Sequence, residues 1–72
     1  MDNDFKYGLL KQCREYLQLS PLDVVKRLYE HGLDISEDTV RNWEEGKTTP
    51  DADSLPALAT VLKVKVHEFY GS

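Results

Sequence analysis

Apolar residues recur along the chain at intervals of three and four, the spacing of an α-helix that buries one face. The first run comprises Phe5, Leu9, Cys13 and Leu17, with Leu10 and Tyr16 beside it. The second run comprises Leu22, Val25, Leu28 and Tyr29, and a later one comprises Leu55, Leu58, Ala59 and Leu62. Shorter runs contain Val40 with Trp43, and Val66 with Phe69 and Tyr70. The pattern predicts an all-α fold of five short helices, over residues 4–18, 21–31, 37–45, 55–63 and 66–70, in a single domain spanning 1–72.

Residues that favour helix starts precede most of these runs. Asn3 or Asp4 is suited to cap the first helix. The segment Ser20 to Asp23, S-P-L-D, predicts a capping box, with proline at the first helical position, where its missing N–H costs nothing. Ser54, two residues before Pro56, is the expected cap of the fourth helix.

The segment from Ile35 to Pro50, ISEDTVRNWEEGKTTP, predicts a short helix with well-defined ends. Ser36 is the expected N-cap, and Gly46 is the expected stop, because glycine adopts the left-handed conformation that ends helices. Val40 and Trp43 share one face, so we interpret Trp43 as a core residue and not as a platform for stacking bases. The outer face is polar and consists of Glu37, Asp38, Arg41, Asn42 and Glu45. This arrangement is typical of a DNA recognition helix and equally of any small surface helix.

Composition excludes several classes of function. A chain of 72 residues with one cysteine forms no internal disulfide, and Cys13 with His31 and His67 makes no plausible zinc site. There is no glycine-rich phosphate loop and no paired catalytic constellation, so we expect neither an enzyme nor a cofactor. The N-terminal residues lack an apolar signal core and no apolar run has membrane length, which predicts a cytoplasmic protein without membrane contact.

An ordered set of motifs carries a resemblance to a known family. In order these are Arg14, Leu19-Ser20-Pro21, Val24-Val25, Ile35-Ser36, Thr39-Val40, Trp43-Glu44, Gly46-Lys47 and the segment from Leu62 to Phe69. Together they resemble the Cro/CI (XRE-type) helix-turn-helix domain of phage repressors and small bacterial regulators, from about Leu9 to Tyr70. The resemblance implies a lambda-repressor-like domain whose second and third helices form the helix-turn-helix.

The resemblance also implies roles for individual residues. In this family the third helix enters the major groove, which places Ser36, Glu37, Asp38 and Asn42 toward the bases. The residues expected to meet phosphate are Arg14, Lys47, Arg41 and Thr39, together with backbone N–H groups where the second helix starts. Arg14 and Glu44 stand where the family often pairs an arginine with a glutamate, although an ordinary surface ion pair is the alternative. Glu37 and Asp38 are interpreted equally well as stabilisers of their own helix.

Several residues depart from the family pattern. Pro21 replaces a common glutamine, Glu45 replaces a common asparagine, and Tyr29 to Leu33 looks like an insertion. Lys63 and Lys65 replace a common glycine and serine, and losing the glycine predicts slight backbone strain. The net charge of −4 also counts against general affinity for nucleic acid.

The predicted function is that of a repressor-like transcriptional regulator that binds specific double-stranded DNA as a homodimer. The dimer contact is expected either from the last helix and tail or from parts of a larger protein. The alternative is a protein-interaction module, antitoxin-like or antirepressor-like, that uses its acidic face to bind a protein partner. A basic strip formed in space by Lys26, Arg27, Arg41 and Lys47 would favour DNA over that alternative.

Overall fold

The computed structural model describes residues 5–70, whose regular elements are all helical. They are α1 (Tyr7–Tyr16), α2 (Pro21–Glu30), α3 (Glu37–Glu45), α4 (Leu55–Leu62) and a C-terminal 3-10 helix (Val66–Phe69). The predicted all-α class is confirmed. The predicted count of five helices is not confirmed, because the last segment forms a short 3-10 helix and not an α-helix, and then extends at Tyr70.

The first helix begins later than predicted because the residues before it pair with the end of the chain. Phe5 and Tyr70 form an antiparallel β-bridge, and the Lys6 N–H donates to the Phe69 carbonyl at 2.6 Å. The Phe5 ring stacks on the Phe69 ring with centroids 5.5 Å apart. Phe5 therefore packs on the core from an extended segment, and α1 runs from Tyr7 to Tyr16 instead of from 4 to 18. The predicted caps Asn3 and Asp4 lie outside the described residues.

The core lies where α1, α2, α3, α4 and the 3-10 helix meet. Its members are buried apolar side chains, namely Leu10, Val24, Leu28, Val40, Trp43, Leu55, Leu58, Ala59, Val61, Leu62 and Phe69. The expected buried positions of α3 and α4 are thus confirmed. In α2 the buried residues are Val24 and Leu28. Leu28 is buried as predicted, but the prediction is wrong for Leu22 and Tyr29, which are 45% and 67% exposed. Tyr16, expected beside the α1 stripe, is 87% exposed.

Each of the four α-helices ends in the same left-handed bend. The residue at the bend is Gln18, Gly32, Gly46 or Lys63, each with a φ between 59° and 87°. In each bend, the N–H of the next residue donates to a carbonyl five positions earlier, for example from Lys47 to Asn42 at 2.9 Å and from Val64 to Ala59 at 3.0 Å. This is the Schellman arrangement, which satisfies carbonyls that the last helical turn leaves free. Two of the bends use residues with a Cβ, and that conformation is strained for them.

The capping predictions are confirmed for α2 and α3 and wrong for α4. Ser20 and Asp23 form the capping box, and the Ser36 hydroxyl accepts from the Thr39 N–H at 3.2 Å. Ser54 makes no side-chain cap. Its own N–H donates to the Asp51 carboxylate at 3.0 Å, because residues 51–54 already form a turn that leads into α4.

Candidate nucleic-acid interface

Helix α3 lies against α1 and α2 through Val40 and Trp43, which leaves its opposite face to solvent. Ser36 and Thr39, at the start of this face, are bonded to each other. In addition to the capping hydrogen bond from the Thr39 N–H to the Ser36 hydroxyl, the two hydroxyl oxygens lie 2.9 Å apart. This contact fixes the first turn of α3 and orients both hydroxyls, while Ser36 stays exposed.

Glu37 and Arg41 form an ion pair one turn apart on the outer face of α3. The Arg41 Nη2 donates to the Glu37 Oε2 at 2.6 Å, with the side chains 56% and 36% exposed respectively. Asp38 is exposed beside them. Both acidic residues lie in the first turn, where the positive end of the helix dipole stabilises carboxylates. A carboxylate at either position can therefore stabilise its own helix and also face a bound base, so the location of Glu37 and Asp38 does not separate the two roles considered for them.

The C-terminal end of α3 carries Asn42, Glu45 and Lys47. The Asn42 carbonyl accepts the Lys47 N–H at 2.9 Å, which folds the bend back against the helix. The Asn42 side chain is half-buried and borders a shallow cleft whose lining includes Thr39 and Thr48 as well as the apolar Ile35 and Trp43. The Lys47 ammonium lies 3.1 Å from the Glu45 carboxylate, and both side chains are mostly exposed.

Arg14 and Glu44 join α1 to α3. The guanidinium donates from Nε to Oε2 at 2.6 Å and from Nη2 to Oε1 at 3.0 Å, and its Nη1 donates to the Leu19 carbonyl at 3.0 Å. The two side chains are only 12% and 9% exposed, which distinguishes this pair from the exposed pairs of α3. The hydrogen bond to Glu44 raises the pKa of Arg14, so the guanidinium stays charged. The pair fixes α3 against α1 and leaves little of the guanidinium free for phosphate.

Tyr7 is a neighbour of this surface that sequence reasoning missed. A Cβ placed on Gly46 would lie 3.1–3.2 Å from three atoms of the Tyr7 ring, so the ring covers the end of α3. Gly46 is required both for its left-handed backbone and for this close approach. The residues are 39 positions apart, and no local pattern in the sequence connects them.

The start of α2 offers fewer backbone donors than the sequence suggested. The Ser20 N–H donates to Asp23 at 2.9 Å, the Asp23 N–H donates to Ser20 at 3.0 Å, and Pro21 has no N–H. These hydrogen bonds lower the pKa of the Asp23 carboxyl, so a full negative charge lies at this helix start. Of residues 20–23, only Leu22 keeps an N–H outside the capping box, and the neighbouring carboxylate disfavours a phosphate there.

The four cations considered for a basic strip come from two helices, Lys26 and Arg27 from α2 and Arg41 and Lys47 from α3 and its bend. Arg27 borders a depression with Lys63, Val61 and Leu17, on the side of α2 that faces α4. Arg41 and Lys47 belong to α3 and its bend, where each is paired with a carboxylate. Arg41 and Lys47 therefore each present their charge beside a carboxylate, which reduces the positive potential that usually accompanies DNA binding.

Other kinds of site find little support among residues 5–70. Within that range no group of three or more metal-ligating side chains comes together, and no helix is long and apolar enough to cross a membrane. Cys13 lies on α1, partly buried near the end of α4, and burial raises the pKa of its thiol, which disfavours the reactive thiolate. We interpret Cys13 as a packing residue.

Comparison with known proteins finds a family match over the part of the chain that contains α3. A family model described as helix-turn-helix matches residues 29–69, which is more than half of the chain. The match begins in the last turn of α2 and includes α3, α4 and the 3-10 helix. No curated protein and no solved structure matches the chain.

Proposed function

The chain belongs to the XRE-type, Cro/CI-like helix-turn-helix family of DNA-binding transcription regulators, and we propose that it is a repressor-like regulator that recognises a specific double-stranded sequence. The observation that carries the proposal is the geometry of α3. Val40 and Trp43 fasten one face of α3 to the core, and Arg14 with Glu44 fastens it to α1. A rigid helix is thereby presented with a polar, hydrogen-bonding face outward, as a recognition helix requires.

The first turn and the middle of α3 supply the groups proposed to read bases. The carboxylates of Glu37 and Asp38 are suited to accept a hydrogen bond from the exocyclic amine of cytosine. The amide of Asn42 can bond to N6 and N7 of adenine. Ser36 and Thr39, whose hydroxyls are already oriented by their mutual contact, flank these groups.

Arg14, Arg41 and Lys47 are the cations proposed to approach phosphates. Arg14 would use only the N–H groups that Glu44 and Leu19 leave free. Because a single small module supplies few such contacts, we propose that two copies bind a two-fold symmetric site.

Selection from a random pool of duplex DNA at low salt tests this function. We expect an enriched two-fold motif, with an affinity that falls linearly with the logarithm of salt concentration. Asn42→Ala should relax one base position in the selected motif, at a cost of about 1–3 kcal/mol. Gln12→Ala, which removes an exposed amide from α1, is the matched control and should leave the motif unchanged. If no sequence enriches, or if Asn42→Ala selects the same motif with the same affinity, this assignment is wrong.

One observation favours a second function, that of a protein-interaction module. The cations of the α3 surface are paired with Glu37, Glu44 and Glu45, and the net charge of the chain is −4. Such a surface is suited to a basic protein partner. This function predicts no enrichment of DNA at any salt concentration, together with binding of the protein to a basic partner that Glu37→Gln weakens.

A further inference from the structure

Every cation proposed to meet phosphate forms an ion pair with a carboxylate of α3. Arg14 is paired with Glu44, Arg41 with Glu37, and Lys47 with Glu45. The pair of Arg14 is largely buried and joins two helices, so it has a structural role. The pair of Arg41 lies in the first turns of α3, where the helix dipole stabilises the carboxylate. Only the pair of Lys47 lacks such an explanation.

Glu45 occupies an unfavourable position for its own helix. It is the last residue of α3, where the backbone carbonyls give the helix end a partial negative charge. A carboxylate there is repelled by the dipole, and its exposed contact with Lys47 contributes little to stability. The stability of α3 therefore does not account for a glutamate at this position.

We propose that Glu45 limits the affinity of this domain for the DNA backbone by pairing with Lys47. The inference rests on the proposed function and adds a regulatory residue to the same surface. With Glu45 in place, the bend after α3 presents a neutral pair to a phosphate instead of a free ammonium. Binding to arbitrary DNA is thereby weakened, and a site is occupied only where α3 also makes base contacts.

The expected size of the effect follows from the charges. In water, an ammonium about 5 Å from one phosphate raises the affinity roughly fourfold, and pairing of Lys47 with Glu45 withholds that gain. A second phosphate at a similar distance would raise this to roughly fifteenfold at low salt, and added salt screens the effect. Release of Lys47 should also add one counterion-releasing contact, which steepens the logarithmic salt slope by about 0.9.

The test compares Glu45→Gln with Glu68→Gln, which removes the same charge from an exposed position of the 3-10 helix, outside α3. Affinity and salt slope are measured for the selected site and for a duplex of random sequence. We expect Glu45→Gln to tighten binding to both duplexes by a similar factor of roughly four to fifteen and to steepen the slope. Glu68→Gln should change the affinity less than twofold, by about the long-range screened term alone.

Lys47→Gln, made in both backgrounds, shows whether Glu45 acts through Lys47. Because the ammonium is already paired, the substitution should cost less than about twofold in the wild type, and it should reverse most of the gain in the Glu45→Gln protein. If the wild type binds its selected site but Glu45→Gln and Glu68→Gln change the affinity equally, this inference is wrong while the proposed function stands. The same holds if Lys47→Gln lowers the affinity equally in the wild type and in the Glu45→Gln protein. If neither the wild type nor Glu45→Gln binds any duplex, the proposed function fails as well.

Discussion

Replacing one partner of the Arg14–Glu44 pair should destabilise the domain far more than removal of an exposed ion pair. Glu44→Leu leaves the guanidinium with its single hydrogen bond to the Leu19 carbonyl, in a position where Arg14 is 12% exposed. Arg14→Met leaves a carboxylate that is 9% exposed and has lost both of its donors. When both residues are replaced, no buried charge remains, and the two apolar side chains can pack together.

The magnitude follows from these exposures. Removing one partner of a buried ion pair costs about 3–5 kcal/mol, and an exposed pair is worth about 0.2–1 kcal/mol. Because each side chain keeps about a tenth of its surface exposed, we expect about 2–3 kcal/mol for Glu44→Leu. A domain of this size has a total stability of roughly 4–11 kcal/mol. The midpoint of thermal unfolding should fall by roughly 10–20 °C.

A double-mutant cycle measured by urea unfolding isolates the interaction between the two side chains. Far-ultraviolet circular dichroism reports the helices, and fluorescence reports the buried Trp43. We expect a coupling free energy of about 2 kcal/mol for Arg14 with Glu44. The exposed pair of Arg41 with Glu37 is the internal control, with an expected coupling of about 0.3–0.5 kcal/mol. A coupling of Arg14 with Glu44 no larger than that of the control would refute the reasoning and make the pair an ordinary surface contact.

Two further predictions concern helix ends. Lys63→Gly should stabilise the domain by about 0.5–1 kcal/mol in urea unfolding, because Lys63 adopts a left-handed φ of 63° that glycine adopts without strain. Lys65 has an ordinary φ of −96°, so Lys65→Gly is the control and should not stabilise the domain. The Ser20 hydrogen bonds lower the pKa of Asp23 below its ordinary 3.8, so this carboxylate contributes stability above about pH 3.8 that is lost as the pH falls through the folded-state value. Asp23→Asn should therefore flatten the decline of the unfolding free energy below pH 4, which urea unfolding as a function of pH measures.

Local chemistry made the helix-turn-helix segment predictable from the sequence. The capping box of Ser20 with Asp23, the Ser36 cap and the left-handed Gly46 each involve residues only a few positions apart in the chain. The three-residue spacing of Val40 and Trp43 also defined a buried face without knowledge of its partner. These features depend on short-range geometry, which is why the bounds predicted for α3 are those observed.

Contacts between distant residues decided the rest. The pairing of Phe5 with Tyr70 set the start of α1, and the stacking of Tyr7 on Gly46 covered the end of α3. Which face of α2 is buried depended on where α3 and α4 lie, and the spacing of Leu22, Val25 and Tyr29 was equally compatible with burial or exposure.

The sequence by itself determined the helical class, the capped helix α3 and the residues of its outer face. Only the tertiary structure decided how the charges of that face are shared, because an ion pair depends on the distance and burial of both partners. It separated the buried Arg14–Glu44 pair from the exposed Lys47–Glu45 pair, although both consist of one cation and one glutamate. The physical reason is that burial removes the solvent screening that makes exposed pairs weak, and the arrangement of whole helices determines burial.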